Sequence, residues 1–237
     1  MKTKKLYLIG FFVLFVSLVF TACDTFFSTS WGKERDYDPA KINLNVDNLD
    51  DWLYASVGRP KLAAAVNVKI KELVNGLPPG HPDRLKLQKA GVRLAIEASG
   101  VGTSLLSNVD KLVDAAENGD ADALKNILDS ILDDFRDSGG PAAANDLAEI
   151  IDQHFIDNAS QTERDMAAVV LALAILGSQN ITNFEDITLE NLGLENNNGV
   201  IEIHNDTIDP IKVNLLLELL NKSAGNSDSL AGSFFDL

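Results

Sequence analysis

The sequence predicts a mainly all-α protein: an irregular helical bundle or a short α-hairpin solenoid of about seven or eight helices, with room for one small two-stranded β element. Three observations carry this. Apolar residues recur at spacings of three and four from Pro60 to about residue 177. Helix-start signals fall near residues 83, 103, 121, 141 and 161, about twenty apart. Alternating apolar residues occur only in two short runs, Ile42–Val46 and Val200–Ile203.

The elements follow in order. Ile42, Leu44 and Val46 alternate as in a short strand, which could lie beside Val200, Ile201 and Ile203. "DNLDDWLYASVG" reads as a brief helix capped by Asp47 or Asn48, with Leu49, Trp52 and Leu53 on one face. Leu62, Val66, Ile70 and Val74 stripe the next helix, which "NGLPPGHP" ends. Pro82 suits the first position of another, carrying Leu85, Leu87, Val92, Leu94 and Ile96. After "SGVG", a helix holds Leu105, Leu106, Val109, Leu112, Val113 and Ala116. Asp120 can cap its successor, whose stripe is the most regular: Leu124, Ile127, Leu128, Ile131, Leu132 and Phe135. Beyond "DSGGP", Leu147, Ile150, Ile151 and Phe155 fit a single helix.

Ser160 and Glu163 form a capping box, in which the hydroxyl accepts from the amide three residues on and the carboxylate reaches back. It opens "MAAVVLALAIL", apolar on every side. That run is too short to span a bilayer, which needs about 20 apolar residues, so it belongs at the centre of the domain. Asp209 and Pro210 open a last helix with Ile211, Val213, Leu215, Leu216, Leu219 and Leu220. Two twenty-residue units approach the period of tetratricopeptide or HEAT arrays, but the signature residues of those families are absent. "LVDAAENGDADALKNIL" has a faint ankyrin look without the Thr-Pro-Leu-His turn.

The N-terminus has a different character. Lys2, Lys4 and Lys5 precede an apolar run, Leu6–Phe20, followed by small Thr21 and Ala22. This is the pattern of a secretory signal, with a plain signal peptide or an anchor helix as alternatives. Cys23, the only cysteine of 237 residues, comes next. The stretch Thr21-Ala22-Cys23 resembles the lipobox of bacterial lipoproteins. Phe20 stands where that family usually has Leu, a relaxed form similar to spirochaete lipoproteins. The resemblance covers about a tenth of the chain. It implies cleavage between Ala22 and Cys23, acylation of Cys23 with palmitate-type chains, and residence in the bacterial cell envelope. Each buried CH₂ contributes about 0.8 kcal/mol, so two or more acyl chains anchor firmly where one does not.

The expected organisation is thus a signal at 1–22, a lipidated tether at 23–40, a helical domain at 41–222 and a polar tail at 223–237. The tether's aromatic residues fit either the lipid interface or the surface of the domain. The formal charge is −15, and loss of the three signal lysines leaves 17 − 35 = −18. Such a body is repelled by phosphate backbones and by anionic bilayers, which argues against nucleic acid as a partner and for a body held off the membrane.

Catalytic chemistry is sparse. His81, His154 and His204 have no second histidine at metal-ligand spacing, and neither a nucleophile elbow nor a phosphate loop is present. His81 reads as a surface turn residue and His154 as a satisfied, partly buried group. His204, near Glu202 and Asp206, is the best polar cluster. "SGVGTS" at Ser99–Ser104 could present amides to an anion, but reads more simply as a helix–helix turn. The carboxylates around Asp120–Asp137 lack the spacing of a calcium loop and read as a solvated face.

No cofactor or metal is implied, and the expected function is non-catalytic. The chain reads as a lipid-anchored helical interaction or scaffold module for another envelope protein. The alternative is a periplasmic carrier of a lipid or small molecule in an apolar pocket between helices. An enzyme would need carboxylates and His204 to converge from separate segments. Phe234, Phe235 and Leu237 at the tip of the tail are a further candidate docking element, or pack back on the domain.

Overall fold

The structure is a computed structural model, which describes residues 36–118, 120–179, 181, 188–197, 200–204 and 208–223. Among them are nine α-helices: α1 (Leu49–Ser56), α2 (Pro60–Asn75), α3 (Pro82–Ala98), α4 (Val101–Asn118), α5 (Ala121–Asp137), α6 (Gly140–Ile150), α7 (Gln153–Asn158), α8 (Gln161–Ser178) and α9 (Pro210–Ser223). One antiparallel hairpin, β1 (Leu194–Asn197) with β2 (Val200–Ile203), lies between α8 and α9. The mainly helical fold with a small two-stranded element is the one the sequence predicts.

Helix ends follow the local chemistry. His81 Nδ1 accepts from the Asp83 amide at 3.2 Å and Pro82 takes the first position of α3. Asp120 accepts from the Ala123 amide at 3.0 Å to open α5. Ser160 and Glu163 close the capping box of α8. Asp209 accepts from the Lys212 amide at 3.2 Å at the start of α9.

The apolar stripes meet in one core. Leu62, Val66, Ile70 and Val74 of α2 are buried, as are Leu87, Val92 and Leu94 of α3 and Phe135 of α5. The apolar α8 packs on α3, α5, α6 and α9, sharing the centre with α3. In a hairpin solenoid each repeat meets only its neighbours in sequence. Here α2 packs on α6 and α3 on α8, so the arrangement is an irregular bundle. The α4–α5 hairpin stands to one side, joined to α3, α6 and α8. At the α5–α6 corner only glycine fits: a Cβ on Gly140 would lie 2.3 Å from the Phe135 carbonyl oxygen.

Two local expectations are corrected. Ile42–Val46 is not a strand and does not pair with Val200–Ile203. Its alternation instead buries Ile42 and Leu44 in the core. The carbonyl of Asn43 accepts from Asn48 Nδ2 at 2.8 Å and Trp52 Nε1 at 3.3 Å, which ties the segment to α1. The partner of β2 is β1, with Leu194 opposite Ile203 and Asn196 opposite Ile201.

The single helix expected over Leu147–Phe155 is two. The chain leaves helical geometry at Ile151 and Asp152, and Asp152 caps α7 by accepting from the Phe155 amide at 3.1 Å. Helix α3 serves the break. Gln88 donates to the freed Ile150 carbonyl at 3.0 Å, and Arg84 Nε meets Asp152 at 2.9 Å. Further charge pairs join helices across the bundle: Lys71 with Asp146 at 2.5 Å, Lys89 with Glu163 at 3.0 Å and Lys222 with Asp157 at 2.8 Å.

Candidate functional site

An open cleft of about 570 Å³ lies between α4 and α5, with polar side chains rimming a mostly apolar exposed surface. Both helices expose polar positions on the same side. Asn108, Lys111, Asp114 and Asn118 come from α4, at helical spacings of three and four, and Asn126 and Ser130 from α5. Ala115 and Ile127, both buried, floor the cleft, and the capping residue Asp120 closes the end nearest the turn.

The side chains differ in how far they are used. Lys111 Nζ reaches Asn108 Oδ1 at 3.3 Å, and Asn108 Nδ2 donates to the Ser104 carbonyl at 2.9 Å. Asn118 spends one N–H on the Asp114 carbonyl at 2.8 Å. Asp114, Asn126 and Ser130 are exposed, and their side chains take no partner among the described residues. The cleft therefore offers free carboxylate, carboxamide and hydroxyl groups on a short apolar floor.

The candidates read from the sequence are dispersed. Ala22, Cys23, Phe234, Phe235 and Leu237 lie outside the described residues. His81 is a helix cap rather than a bare surface residue, half-buried through its bond to the Asp83 amide. His154 Nδ1 lies 3.1 Å from Asn158 Nδ2 on the same helix, α7. His204 sits at the end of β2, 3.2 Å from Glu195 Oε2 across the hairpin. Among the described residues no group of three or more His, Cys, Asp or Glu side chains is arranged to hold a metal ion. No helix among them is long and apolar enough to cross a membrane.

Ser99–Ser104 is a helix–helix turn. Gly100 has φ +75°, and Ser99 Oγ accepts from the Val101 amide at 3.3 Å. Part of the acidic run on α5 is spent locally. Arg136 pairs with Asp133 at 2.7 Å and Asp137 at 3.4 Å, while Ser104 donates to Asp134 across the hairpin.

One titratable group escaped the sequence reading. Glu97, near the end of α3, is buried and accepts from the Gly58 amide at 3.1 Å. Burial pushes its carboxyl up to about 7, against the lowering effect of that single bond. The signal was a lone charge inside the apolar run "LAIEA". The cleft had a signal too, a polar stripe through Asn108, Lys111, Asp114 and Asn118 beside the apolar one.

No protein family, curated protein or solved structure matches this chain.

Proposed function

We propose that the chain is a lipid-anchored cell-envelope protein whose helical body is a non-catalytic protein-interaction module. The observation that supports the interaction role is the open cleft between α4 and α5, rimmed by polar side chains. Its unspent groups occupy exposed positions of α4 and α5. An apolar carrier pocket would instead be enclosed and lined mainly by aliphatic side chains. The anchor rests on the lipobox-like residues ending at Cys23. Twelve residues, or thirteen residue-to-residue steps, separate Cys23 from Asp36, where the described body begins. An extended chain of that length reaches at most about 45 Å, enough to hold the acidic body clear of a bilayer surface.

The experiment has two arms. Cys23→Ser, with the signal sequence removed, should move the protein from the membrane fraction to the soluble fraction. Retention of that variant in membranes would remove the lipid anchor from the proposal. Mild cross-linking of the wild-type protein in its own cells, followed by mass spectrometry, should yield one stoichiometric envelope protein. A retained lipid or metabolite with no protein partner would replace the module by a carrier.

A further inference from the structure

We infer that the α4–α5 cleft receives an extended, lysine- or arginine-bearing peptide segment of the partner protein. The inference rests on the interaction-module reading and names the chemistry of the partner.

Two features choose this occupant. The first is charge. The segment from Val101 to Asp137 carries nine carboxylates against three cations in sequence. Each of the three cations has a partner, but the Asn108 carboxamide against Lys111 is neutral, so the cleft itself holds two carboxylates to one ammonium. Lys111 lies against Asn108, Arg136 between Asp133 and Asp137, and Lys125 has a partner of its own. Asp114 and Asp120, in the cleft itself, have no cation partner among the described residues. An incoming ammonium or guanidinium group supplies what the fold leaves out.

The second is the unspent carboxamide. Among the described residues Asn126 has both its N–H groups and its oxygen free, and Asn118 keeps one N–H and its oxygen. A carboxamide donates and accepts at once, so it matches the paired N–H and C=O of a peptide unit and discriminates little between side chains. In an extended segment alternate side chains point the same way, so basic residues at every second position would reach Asp114 and Asp120 while the backbone lies along the amides. The volume is within the range of about 300–1,000 Å³ usual for ligand sites. The short apolar floor of Ala115 and Ile127 suits the aliphatic stems of Lys or Arg, whose charged ends stay in the polar rim.

The test uses the full-length protein in detergent micelles and two blocked peptides of about ten residues. One has Lys at alternate positions among Ser and Gly, and the other has Glu in place of Lys. Titration calorimetry should show the Lys peptide binding at least about ten-fold more tightly than the Glu peptide, with affinity falling as salt is added. Asp114→Asn and Asn126→Ala should each weaken it by roughly three- to ten-fold, as the loss of one hydrogen bond or ion pair would. Both positions are exposed, and an unchanged melting temperature for each variant ties the loss to binding. Asp50→Asn makes the same charge change on exposed α1 and should leave affinity within about two-fold.

Equal binding of the two peptides, or binding of neither, overturns the inference. So does an equal loss from Asp50→Asn and Asp114→Asn, which would reduce the effect to diffuse charge. A native partner that cross-links as well to the Asp114→Asn, Asn126→Ala double variant as to wild type would overturn the cleft while leaving the interaction module standing.

Discussion

Glu97→Gln removes a charge from a place where the fold leaves it almost no solvation. In the native protein the carboxyl is buried, has one backbone donor, Gly58, and titrates at about 7, whereas an ordinary glutamate titrates near 4.5. The sign follows from proton counting. Between about pH 4.5 and 7 the native state holds a proton that the unfolded chain has released. Stability from this group therefore falls as pH rises, beginning near the unfolded pKa and ending near the native one. At about 1.36 kcal/mol for each unit, the full loss is about 3 kcal/mol above pH 7. The Gln oxygen can still accept from Gly58, so the variant keeps the contact and lacks the titration.

Urea unfolding followed by far-ultraviolet circular dichroism at pH 5, 6, 7 and 8 reads the difference. The variant should approach wild type at pH 5 and exceed it by about 3 kcal/mol at pH 8, roughly 6–12 °C in melting temperature for a domain of this size. The carboxylates held low by their partners, such as Asp152 and Glu163, do not mask the effect. Their contribution is complete above their unfolded values and is lost only on acidification. Parallel stability profiles for the two proteins from pH 5 to 8 would refute the reasoning, because Glu97 would then be solvated or compensated in the native state.

Two further outcomes follow from the packing. Asp152→Ala removes the cap of α7 and the partner of Arg84 together, and should cost about 2 kcal/mol at pH 7 by thermal unfolding. Burial raises the Asp152 carboxyl, but Gln88, the Phe155 amide and Arg84 together hold it below its ordinary range, so the penalty should fade as pH drops below about 4. Asn67 of α2 is buried with neither amide atom hydrogen-bonded among the described residues, so Asn67→Leu should stabilise the protein by about 1–2 kcal/mol in chemical denaturation.

The sequence displayed the helices because their stripes and caps are local. Ser160 and Glu163 are three residues apart, and Leu62, Val66, Ile70 and Val74 define a face without reference to any partner. What it hid was decided between helices. The 3.6-residue period runs unbroken through Leu147, Ile150, Ile151 and Phe155, yet the chain breaks there because Gln88 and Arg84 of α3 satisfy the groups that the break exposes. Alternation at Ile42–Val46 is equally ambiguous, since burial of every second side chain does not require a paired strand. The true partner of β2, "LENN", has little strand propensity of its own and is defined by its pairing and by burial of Leu194. The cleft was half legible, because one helix shows a polar stripe but only the fold brings Asn126 and Ser130 to it.

The distribution of charge pairs carries the functional argument further than the net charge does. Across the bundle, cations meet carboxylates of other helices: Lys71 with Asp146, Arg84 with Asp152, Lys89 with Glu163 and Lys222 with Asp157. In the α4–α5 hairpin the described pairs are internal to it, and Asp114, Asp120 and Asp122 face solvent without a described cation. Unbalanced charge of one sign repels itself and opposes the compact state. Solubility alone would be served as well by carboxylates spread over any surface. Here two of these carboxylates border the same cleft as the Asn118 and Asn126 carboxamides. Under the proposed interaction role, a basic peptide laid there would relieve the repulsion and occupy the amides in one step.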